Sequence, residues 1–155
     1  MAKDNQKYTY KTTIVWQGKK KGIIQTQENP TINVAAPPEF GGPPNIWSPE
    51  QLFTASVGSC LMNTFLFFAE MLRIGIHSYR STATGHMEKT PDGLRFTAID
   101  VVISADVDEE EDVQKAKNLQ SKLEKYCPIS ISLRCPVKLD LKVTLGSEAK
   151  GEIND

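Results

Sequence analysis

An apolar run at residues 52–72 constrains the fold more than any other part of the sequence. Between residues 61 and 74 it is apolar on nearly every side of a helix, which is typical of a helix buried over most of its surface. One sheet covers only one face of such a helix. We therefore expect another helix or a second copy of the chain to cover the rest. The run is a poor membrane span because it contains several polar residues, namely Ser56, Ser59, Asn63, Thr64 and Glu70.

Length and composition indicate one globular domain over residues 1–155, with its core at about residues 8–145. The chain is 39% hydrophobic and 24% charged, which is ordinary for a soluble protein. Its net charge of −1 provides no general attraction for nucleic acid or for an anionic membrane. The first residues include no apolar stretch of the signal-peptide kind, so we expect a cytoplasmic protein. In that compartment, three cysteines are more often reactive, metal-bound or inert than part of a disulfide framework.

The pattern outside the apolar run predicts an α+β fold with mostly antiparallel strand pairing. We expect strands at residues 8–16, 23–26, 31–35, 77–87, 94–107 and 136–145. Lys19, Lys20 and Lys21 are typical of a solvated hairpin tip, with a functional cation as the alternative. A proline-rich loop at residues 37–49 contains Trp47, which we expect either to pin the loop to the core or to form a pocket wall.

A second helix is expected after the acidic residues 108–112. Acidic residues at its start and lysines further along match the helix dipole, so we interpret the acidic run as a solvated helix start rather than a cation site. Pro128 is predicted to end this helix at Cys127. Residues 146–155 are predicted to form a frayed tail.

The long apolar helix has a clear start signal at Ser48. Its hydroxyl can cap the helix, Pro49 suits the first helical position, and Gln51 completes a capping box. Gly58 is predicted to break the helix, which would place Cys60 in the first turn of a second helix. Backbone N–H groups and the helix dipole would there lower the pKa of the thiol. An unbroken helix would remove this source of activation.

Cys60 and Cys127 are a candidate redox pair. A reactive thiolate that attacks a peroxide becomes a sulfenic acid, and a nearby thiol can trap that acid as a disulfide. The residues alone leave inert buried thiols as the default interpretation. A zinc site that combines the cysteines with His77 and His86 is disfavoured, because no ligand pair has the spacing of a known motif. The two histidines are expected at the surface or at a strand edge.

Two motifs resemble the OsmC/Ohr superfamily of osmotically inducible and organic hydroperoxide resistance proteins. The first motif runs from residue 37 through 48–53 to Gly58-Ser59-Cys60. The second is Tyr126-Cys127-Pro128-Ile129-Ser130, followed by the last predicted strand. The resemblance spans about residues 8–145. It implies an α+β OsmC-like fold in which an antiparallel sheet wraps around a long buried central helix, and two chains form an intertwined homodimer.

The resemblance also implies reduction of organic hydroperoxides by a cysteine thiol. Cys60 would be the peroxidatic thiol, Cys127 the resolving thiol, and Glu50 the acid that orients a basic partner. The residues expected to bind substrate are Phe53, Met62, Phe65 and Lys20. No metal or bound cofactor is expected. The expected partners are a second copy of the chain, a small-molecule peroxide and an external dithiol reductant, with no nucleic acid and no membrane.

The sequence departs from this pattern in its charged residues. The resemblance implies an arginine from the N-terminal strands, paired to the glutamate, but the first arginine here is Arg73. A lysine of the hairpin tip lacks the planar fork of a guanidinium. Arg73, Arg80 or Arg134 are the other candidate cations, and Cys135 is expected in the core. The alternative function is therefore a catalytically weak or inactive dimer that binds a small apolar or electrophilic molecule, and a third is a purely structural dimer.

Overall fold

The computed structural model describes residues 6–147. The chain divides into two compact units, Met1–Leu52 and Phe53–Asp155. The expectation of a single domain stays a prediction. Part of the predicted tail, residues 148–155, lies outside the described residues.

The first unit contains a three-stranded antiparallel sheet. Its strands are β1 (Thr13–Trp16), β2 (Lys21–Gln25) and β3 (Ile32–Ala35), and they pair in chain order. The predicted strand at residues 8–16 therefore begins only at Thr13. Between β1 and β2, Gly18 and Lys19 take left-handed backbone conformations with φ of 94° and 49°, which closes the predicted hairpin.

The proline-rich loop is attached to β3 through its backbone. The amide of Ala35 donates a hydrogen bond to the Trp47 carbonyl at 2.9 Å, and Val34 forms an isolated bridge with Trp47. The Trp47 side chain itself is 53% exposed. The expectation that Trp47 pins the loop is thus met by its main chain and not by burial of the indole. A short 3₁₀ helix, Pro38–Phe40, also lies in this loop.

The second unit contains a mixed three-stranded sheet. Strands β4 (Ile76–Thr90) and β5 (Gly93–Val107) form the predicted antiparallel hairpin across the turn at Pro91 and Asp92. Strand β6 (Val137–Leu145) pairs with β5 in parallel, whereas the other three strand pairs described are antiparallel, so the expectation of mostly antiparallel pairing is confirmed with this one exception. Parallel strands need a crossover connection, and here three helices supply it.

The long apolar helix is α1 (Pro49–Met71). The three crossover helices that follow β5 are α2 (Glu110–Lys117), α3 (Gln120–Tyr126) and α4 (Pro128–Ile131). The single helix predicted before Pro128 is therefore divided. At the division the Leu119 amide donates to the Ala116 carbonyl, three residues back, and this tighter turn places Leu119 in the core. Gly146 is not frayed, since its amide donates to the Val107 carbonyl at 2.8 Å.

Helix α1 begins with the predicted capping box. The Gln51 amide donates to the Ser48 hydroxyl at 3.1 Å, and the Ser48 amide donates to the Gln51 side-chain oxygen at 3.0 Å. The predicted break at Gly58 is wrong, because the helix is continuous over 23 residues. Gly58 instead lies against β4, where an added Cβ atom would be 3.5 Å from the Ala83 Cβ atom. The glycine serves a close helix–strand contact rather than a break.

The core of the second unit lies between one face of α1, strand β5 and the crossover helices. Its largest fully buried side chains are Phe65, Leu61, Ile99, Ile103, Leu119, Leu123, Val57, Val101, Val107 and Cys127. The opposite face of α1 is exposed in the single chain, with Phe67 at 58% and Met71 at 64%. The expectation that α1 is buried on most sides is therefore not met within one chain. Helix α1 has the length and composition of a membrane span, a property that the core helices of soluble proteins share.

Candidate active site

A mostly apolar cavity of about 580 Å³ lies between α1 on one side and the end of α3 with the start of α4 on the other. Apart from Ser59, the residues that helix α1 contributes beside Cys60 are three, four, seven or eight positions from Cys60 and therefore share its helix face. Tyr126 at the end of α3, with Pro128 and Ile129 at the start of α4, forms the opposite wall. The cavity is lined by Ser56, Ser59, Cys60, Asn63, Thr64, Phe67, Phe68, Tyr126, Pro128 and Ile129.

Cys60 lies in the middle of α1 and is partly exposed. Burial raises the pKa of its thiol and is the largest influence on it, while the Ile129 backbone N–H lowers the pKa. The Cys127 thiol raises the pKa further, and the Thr64 hydroxyl lowers it. Because the helix is unbroken, Cys60 lacks the predicted activation by a helix start. The net result is a thiol whose pKa lies above its ordinary value.

Cys127 is fully buried and lies between two helices. It is the C-terminal cap of α3 and the N-terminal cap of α4, so its main chain is held from both sides. Its amide donates to the Leu123 carbonyl, and its carbonyl accepts from the Ile131 amide. The Ser130 hydroxyl donates a hydrogen bond to the Cys127 sulfur at 3.1 Å. The structure thus brings the Cys127 thiol close enough to Cys60 to influence its ionisation, and both are free thiols.

Aromatic rings form one side of the cavity. The Phe68 ring lies 5.3 Å from Phe67 and 5.7 Å from Tyr126, measured between ring centroids. The Lys122 ammonium lies 5.2 Å from the centre of the Phe68 ring, and the Lys125 ammonium lies 5.2 Å from that of Tyr126. Such contacts combine a large apolar surface with a cation at its rim.

The three apolar residues predicted to bind substrate are not among the residues that line this cavity. Phe53 stacks on Phe96 with ring centroids 4.5 Å apart, and Phe65 is fully buried beside Tyr79. Met62 is partly buried. Their roles in substrate binding stay predictions. Three aromatic residues that were not predicted to bind substrate line the cavity, namely Phe67, Phe68 and Tyr126. The spacing of Phe67 and Phe68 from Cys60, seven and eight positions along the helix, is the sequence signal that indicates the first two.

The two charged residues in the prediction belong to the first unit. The Lys20 ammonium donates a hydrogen bond to the Phe40 carbonyl in the proline-rich loop. Glu50 occupies the first turn of α1, where its negative charge suits the helix dipole. The substrate-binding role predicted for Lys20 and the catalytic role predicted for Glu50 stay predictions.

Cys135 lies in the core, as predicted, and is 7% exposed. It lines a second cavity of about 370 Å³ with Leu61, Glu124, Ser130 and Arg134. Ser130 therefore faces this second cavity while its hydroxyl contacts Cys127.

The histidines lie at the surface, as predicted, and each contacts one carboxylate. The His77 Nδ1 atom lies 3.3 Å from Asp108 Oδ1, and the His86 Nε2 atom lies 2.7 Å from Asp100 Oδ2. Across residues 6–147, no group of three or more His, Cys, Asp or Glu side chains is arranged to hold a metal ion.

Several solved structures share the fold. An OsmC-like protein of unknown function from Vibrio cholerae matches with a TM-score of 0.80 and 18% identity over 87% of this chain and 99% of its own. The organic hydroperoxide resistance protein OsmC from Legionella pneumophila matches with a TM-score of 0.66 and 26% identity. This match covers 90% of the present chain and 100% of the Legionella chain. An organic hydroperoxide resistance protein from Elizabethkingia anophelis matches with a TM-score of 0.68 and 19% identity. This match covers 91% of the present chain and 100% of the Elizabethkingia chain.

These likenesses confirm the predicted α+β OsmC-like fold. Among curated protein sequences, the chain has no significant match. A protein-family model described as OsmC-like protein matches residues 42–142, and because this span is more than half of the sequence, the chain belongs to the OsmC-like protein family.

Proposed function

We propose that the protein is a thiol peroxidase that reduces organic hydroperoxides, with Cys60 as the attacking thiol and Cys127 as the resolving thiol. The observation that carries this proposal is a partly exposed Cys60 on an apolar cavity, beside the buried Cys127 thiol. The 26% identical Legionella protein is described as an organic hydroperoxide resistance protein, which supports the same chemistry.

In the proposed first step, the Cys60 thiolate attacks the terminal oxygen of a hydroperoxide. An S–O bond forms and the O–O bond breaks, so the sulfur is oxidised to a sulfenic acid. The alkoxide that leaves takes up a proton and becomes an alcohol. The Ile129 N–H and the Thr64 hydroxyl, which both lower the pKa of Cys60, favour the thiolate that this step requires.

In the proposed second step, Cys127 attacks the Cys60 sulfenic acid. An S–S bond forms, the S–O bond breaks, and the hydroxide that leaves becomes water. Two exchange reactions with an external dithiol then restore both thiols and leave that dithiol oxidised. We propose the cytoplasm, with its supply of reduced dithiols, as the compartment of this cycle.

The cavity lining favours peroxides with an apolar group. The rings of Phe67, Phe68 and Tyr126 offer apolar surface to a hydrocarbon chain or an aromatic group. Burial of apolar surface contributes about 25 cal/mol per Å², and hydrogen peroxide has none to bury. We therefore expect organic hydroperoxides to react faster than hydrogen peroxide.

We further propose that the active protein is a homodimer. The exposed face of α1 includes Leu66, Phe67 and Met71, and Leu72 directly after the helix is exposed as well. An apolar patch of this kind on a soluble protein usually marks an interaction site. A second copy of the chain is the expected occupant of this face, since the same helix on a partner presents the same apolar surface.

The second candidate function is a dimer that binds a small apolar or electrophilic molecule without turnover. The raised pKa of Cys60 favours it, because less thiolate is then present at neutral pH. The cavity lining also includes no Lys, Arg or His. This candidate predicts a co-purified or added ligand in native mass spectra and no consumption of peroxide with any dithiol.

Rapid mixing of the reduced protein with cumene hydroperoxide or with hydrogen peroxide separates the two functions. Mass mapping of the thiols follows each mixing time, and Cys135→Ala serves as a control that keeps both proposed reacting thiols. A peroxidase forms a Cys60–Cys127 disulfide faster with the organic peroxide, and Cys60→Ser abolishes peroxide consumption. Cys127→Ser still forms the sulfenic acid but then over-oxidises. Normal peroxide consumption by Cys60→Ser would contradict the proposal, and slow, equal oxidation of all three cysteines would favour the binding function.

A further inference from the structure

We infer that Ser130 is a positioning residue that stabilises the Cys127 thiolate while the disulfide with Cys60 forms. The inference rests on the proposed function and deepens it. Its basis is the 3.1 Å hydrogen bond from the Ser130 hydroxyl to the sulfur of a fully buried cysteine.

A buried resolving thiol faces a physical difficulty. It must lose its proton before its sulfur can attack, but a thiolate without water or a hydrogen-bond donor is strongly disfavoured. Cys127 has no exposed surface in the reduced chain, so solvent cannot supply that donor. A neighbouring hydroxyl can supply it, because a hydrogen bond to a charged acceptor is stronger than one to a neutral acceptor.

Ser130 is placed to act in this way. It lies three residues after Cys127 on the short helix α4, so its hydroxyl reaches back to the sulfur without a change in the backbone. It is partly buried and also lines the cavity of about 370 Å³. Ser132 lies on the same turn, but its hydroxyl donates to the Pro128 carbonyl at 2.7 Å. Of these two hydroxyls, the hydrogen bond to the sulfur comes from Ser130.

Other groups that ionise lie near Cys127 and bear on the test. Cys60 faces it from α1, and Tyr79 faces it from β4. Burial raises the pKa of Tyr79, so its phenol stays protonated at neutral pH. Its hydroxyl has no hydrogen bond within 3.5 Å to a described residue, although the Ser81 hydroxyl is near enough to lower its pKa. Glu124 of α3 and Arg134 after α4 line the second cavity with Ser130.

In the step assigned to Ser130, Cys127 loses its thiol proton and the resulting thiolate accepts the Ser130 hydrogen bond. Its electron pair then attacks the Cys60 sulfur. The new S–S bond replaces the S–O bond, and the departing hydroxide takes up the proton that Cys127 lost, which makes water. The peroxide consumed in the previous step is the oxidant, so no further reagent is needed.

The test follows the two steps separately in Ser130→Ala, with Ser132→Ala as the matched control and Ser130→Thr as the conservative variant. After mixing with cumene hydroperoxide, dimedone labels the Cys60 sulfenic acid, and mass spectrometry measures the label and the disulfide over time. We expect Ser130→Ala to form the sulfenic acid at the wild-type rate but to form the disulfide about tenfold more slowly. Ser132→Ala should form the disulfide at the wild-type rate, and Ser130→Thr should form it at most of that rate, because threonine keeps the hydroxyl.

The dependence of the second step on pH separates stabilisation of a thiolate from a purely structural role. In Ser130→Ala, the disulfide-forming step should reach its maximum rate only at higher pH than in wild type. The same shift should appear when diamide replaces peroxide as the oxidant, since that reaction also requires the Cys127 thiolate. A disulfide-forming step with the wild-type rate and pH profile in Ser130→Ala would overturn the inference.

The diamide reaction also keeps this inference distinct from the proposed peroxidase function. If wild-type protein forms no sulfenic acid with peroxide, the peroxidase function fails, and the diamide profile still decides the role of Ser130. If wild-type protein turns over peroxide and Ser130→Ala resolves equally fast, the inference alone fails.

Discussion

Gly58 of α1 lies against Ala83 of β4, at a separation that would leave 3.5 Å between the Ala83 Cβ atom and a Cβ atom added to Gly58. This distance is an ordinary van der Waals contact. It leaves room for one methyl group and no more. The contact lies two residues before Cys60 on the same helix.

The Gly58 contact predicts opposite effects of small and large side chains. Gly58→Ala should stabilise the protein by about 0.5–1 kcal/mol, because alanine favours the helix and fits the space. Gly58→Leu should destabilise it by about 1–3 kcal/mol through overpacking. Urea denaturation measures both changes. As a contrast, Gly93→Ala should destabilise the protein despite open space around it, because Gly93 has φ of 105°. A loss of stability in Gly58→Ala would contradict the assigned contact.

The neighbours of Cys60 predict that two substitutions shift its pKa in opposite directions. The Cys127 thiol raises this pKa, so Cys127→Ala should lower it and increase the thiolate fraction at pH 7. The Thr64 hydroxyl lowers the pKa, so Thr64→Val should raise it and decrease that fraction. The iodoacetamide adduct on Cys60, quantified by mass spectrometry from pH 6 to 10, measures both shifts.

The sign of the pH dependence follows from burial. Since burial raises the pKa of Cys60, alkylation of wild-type protein should keep accelerating as the pH rises past the ordinary range of a cysteine. The curve for Cys127→Ala should lie at lower pH and that for Thr64→Val at higher pH. Curves that coincide for the three proteins would show that these neighbours do not control the thiol.

The capping box at the start of α1 predicts a stability effect far from the cysteines. Ser48→Ala removes the acceptor for the Gln51 amide and should cost about 1 kcal/mol. Ser48→Thr keeps a hydroxyl acceptor for the Gln51 amide and should therefore reduce the stability by less than Ser48→Ala does. Thermal unfolding measures the difference. The control is Ser121→Ala, an exposed hydroxyl with only a 3.5 Å contact to the Asn118 carbonyl, which should change stability by less than about 0.5 kcal/mol.

The exposed face of α1 predicts how the protein assembles. In sedimentation velocity experiments we expect wild-type protein to be a dimer and Met71→Glu to be a monomer at the same concentration. The reason is that a charge in an apolar interface loses its hydration without a partner. Gln114→Glu, on the exposed side of α2, adds the same charge and should remain dimeric. A dimeric Met71→Glu protein would place the interface elsewhere.

Sequence patterns predicted the features that depend on neighbouring residues. The Ser48–Gln51 capping box spans four residues, and the turn at Pro91 and Asp92 is set by residues next to it. The division of the crossover helix at Leu119 was not predictable in this way. It follows from the burial of Leu119 in a core to which distant strands contribute.

In the candidate site too, neighbouring residues do not reveal which side of a helix faces the cavity. Phe65 and Phe68 are equally apolar in the sequence, but Phe65 packs on Tyr79 whereas Phe68 faces the cavity. Which face of α1 meets the sheet is decided by packing partners on β4, far along the chain. The proximity of Cys127 to Cys60 likewise depends on the crossover between β5 and β6, so the residues alone made the two cysteines only a candidate redox pair, with inert buried thiols as the default interpretation.

The parallel pairing of β5 with β6 has a consequence for the order in which the protein matures. Cys127 lies in the crossover between these strands, so its position is secured only when β6 has paired along β5. Ribosomal synthesis releases α1 and the β4–β5 hairpin first, and the crossover and last strand follow. A growing chain therefore contains Cys60, the proposed attacking thiol, before it contains Cys127, the proposed resolving thiol. On the proposed function, the newborn chain passes through an interval in which Cys60 has no intramolecular protection from irreversible oxidation.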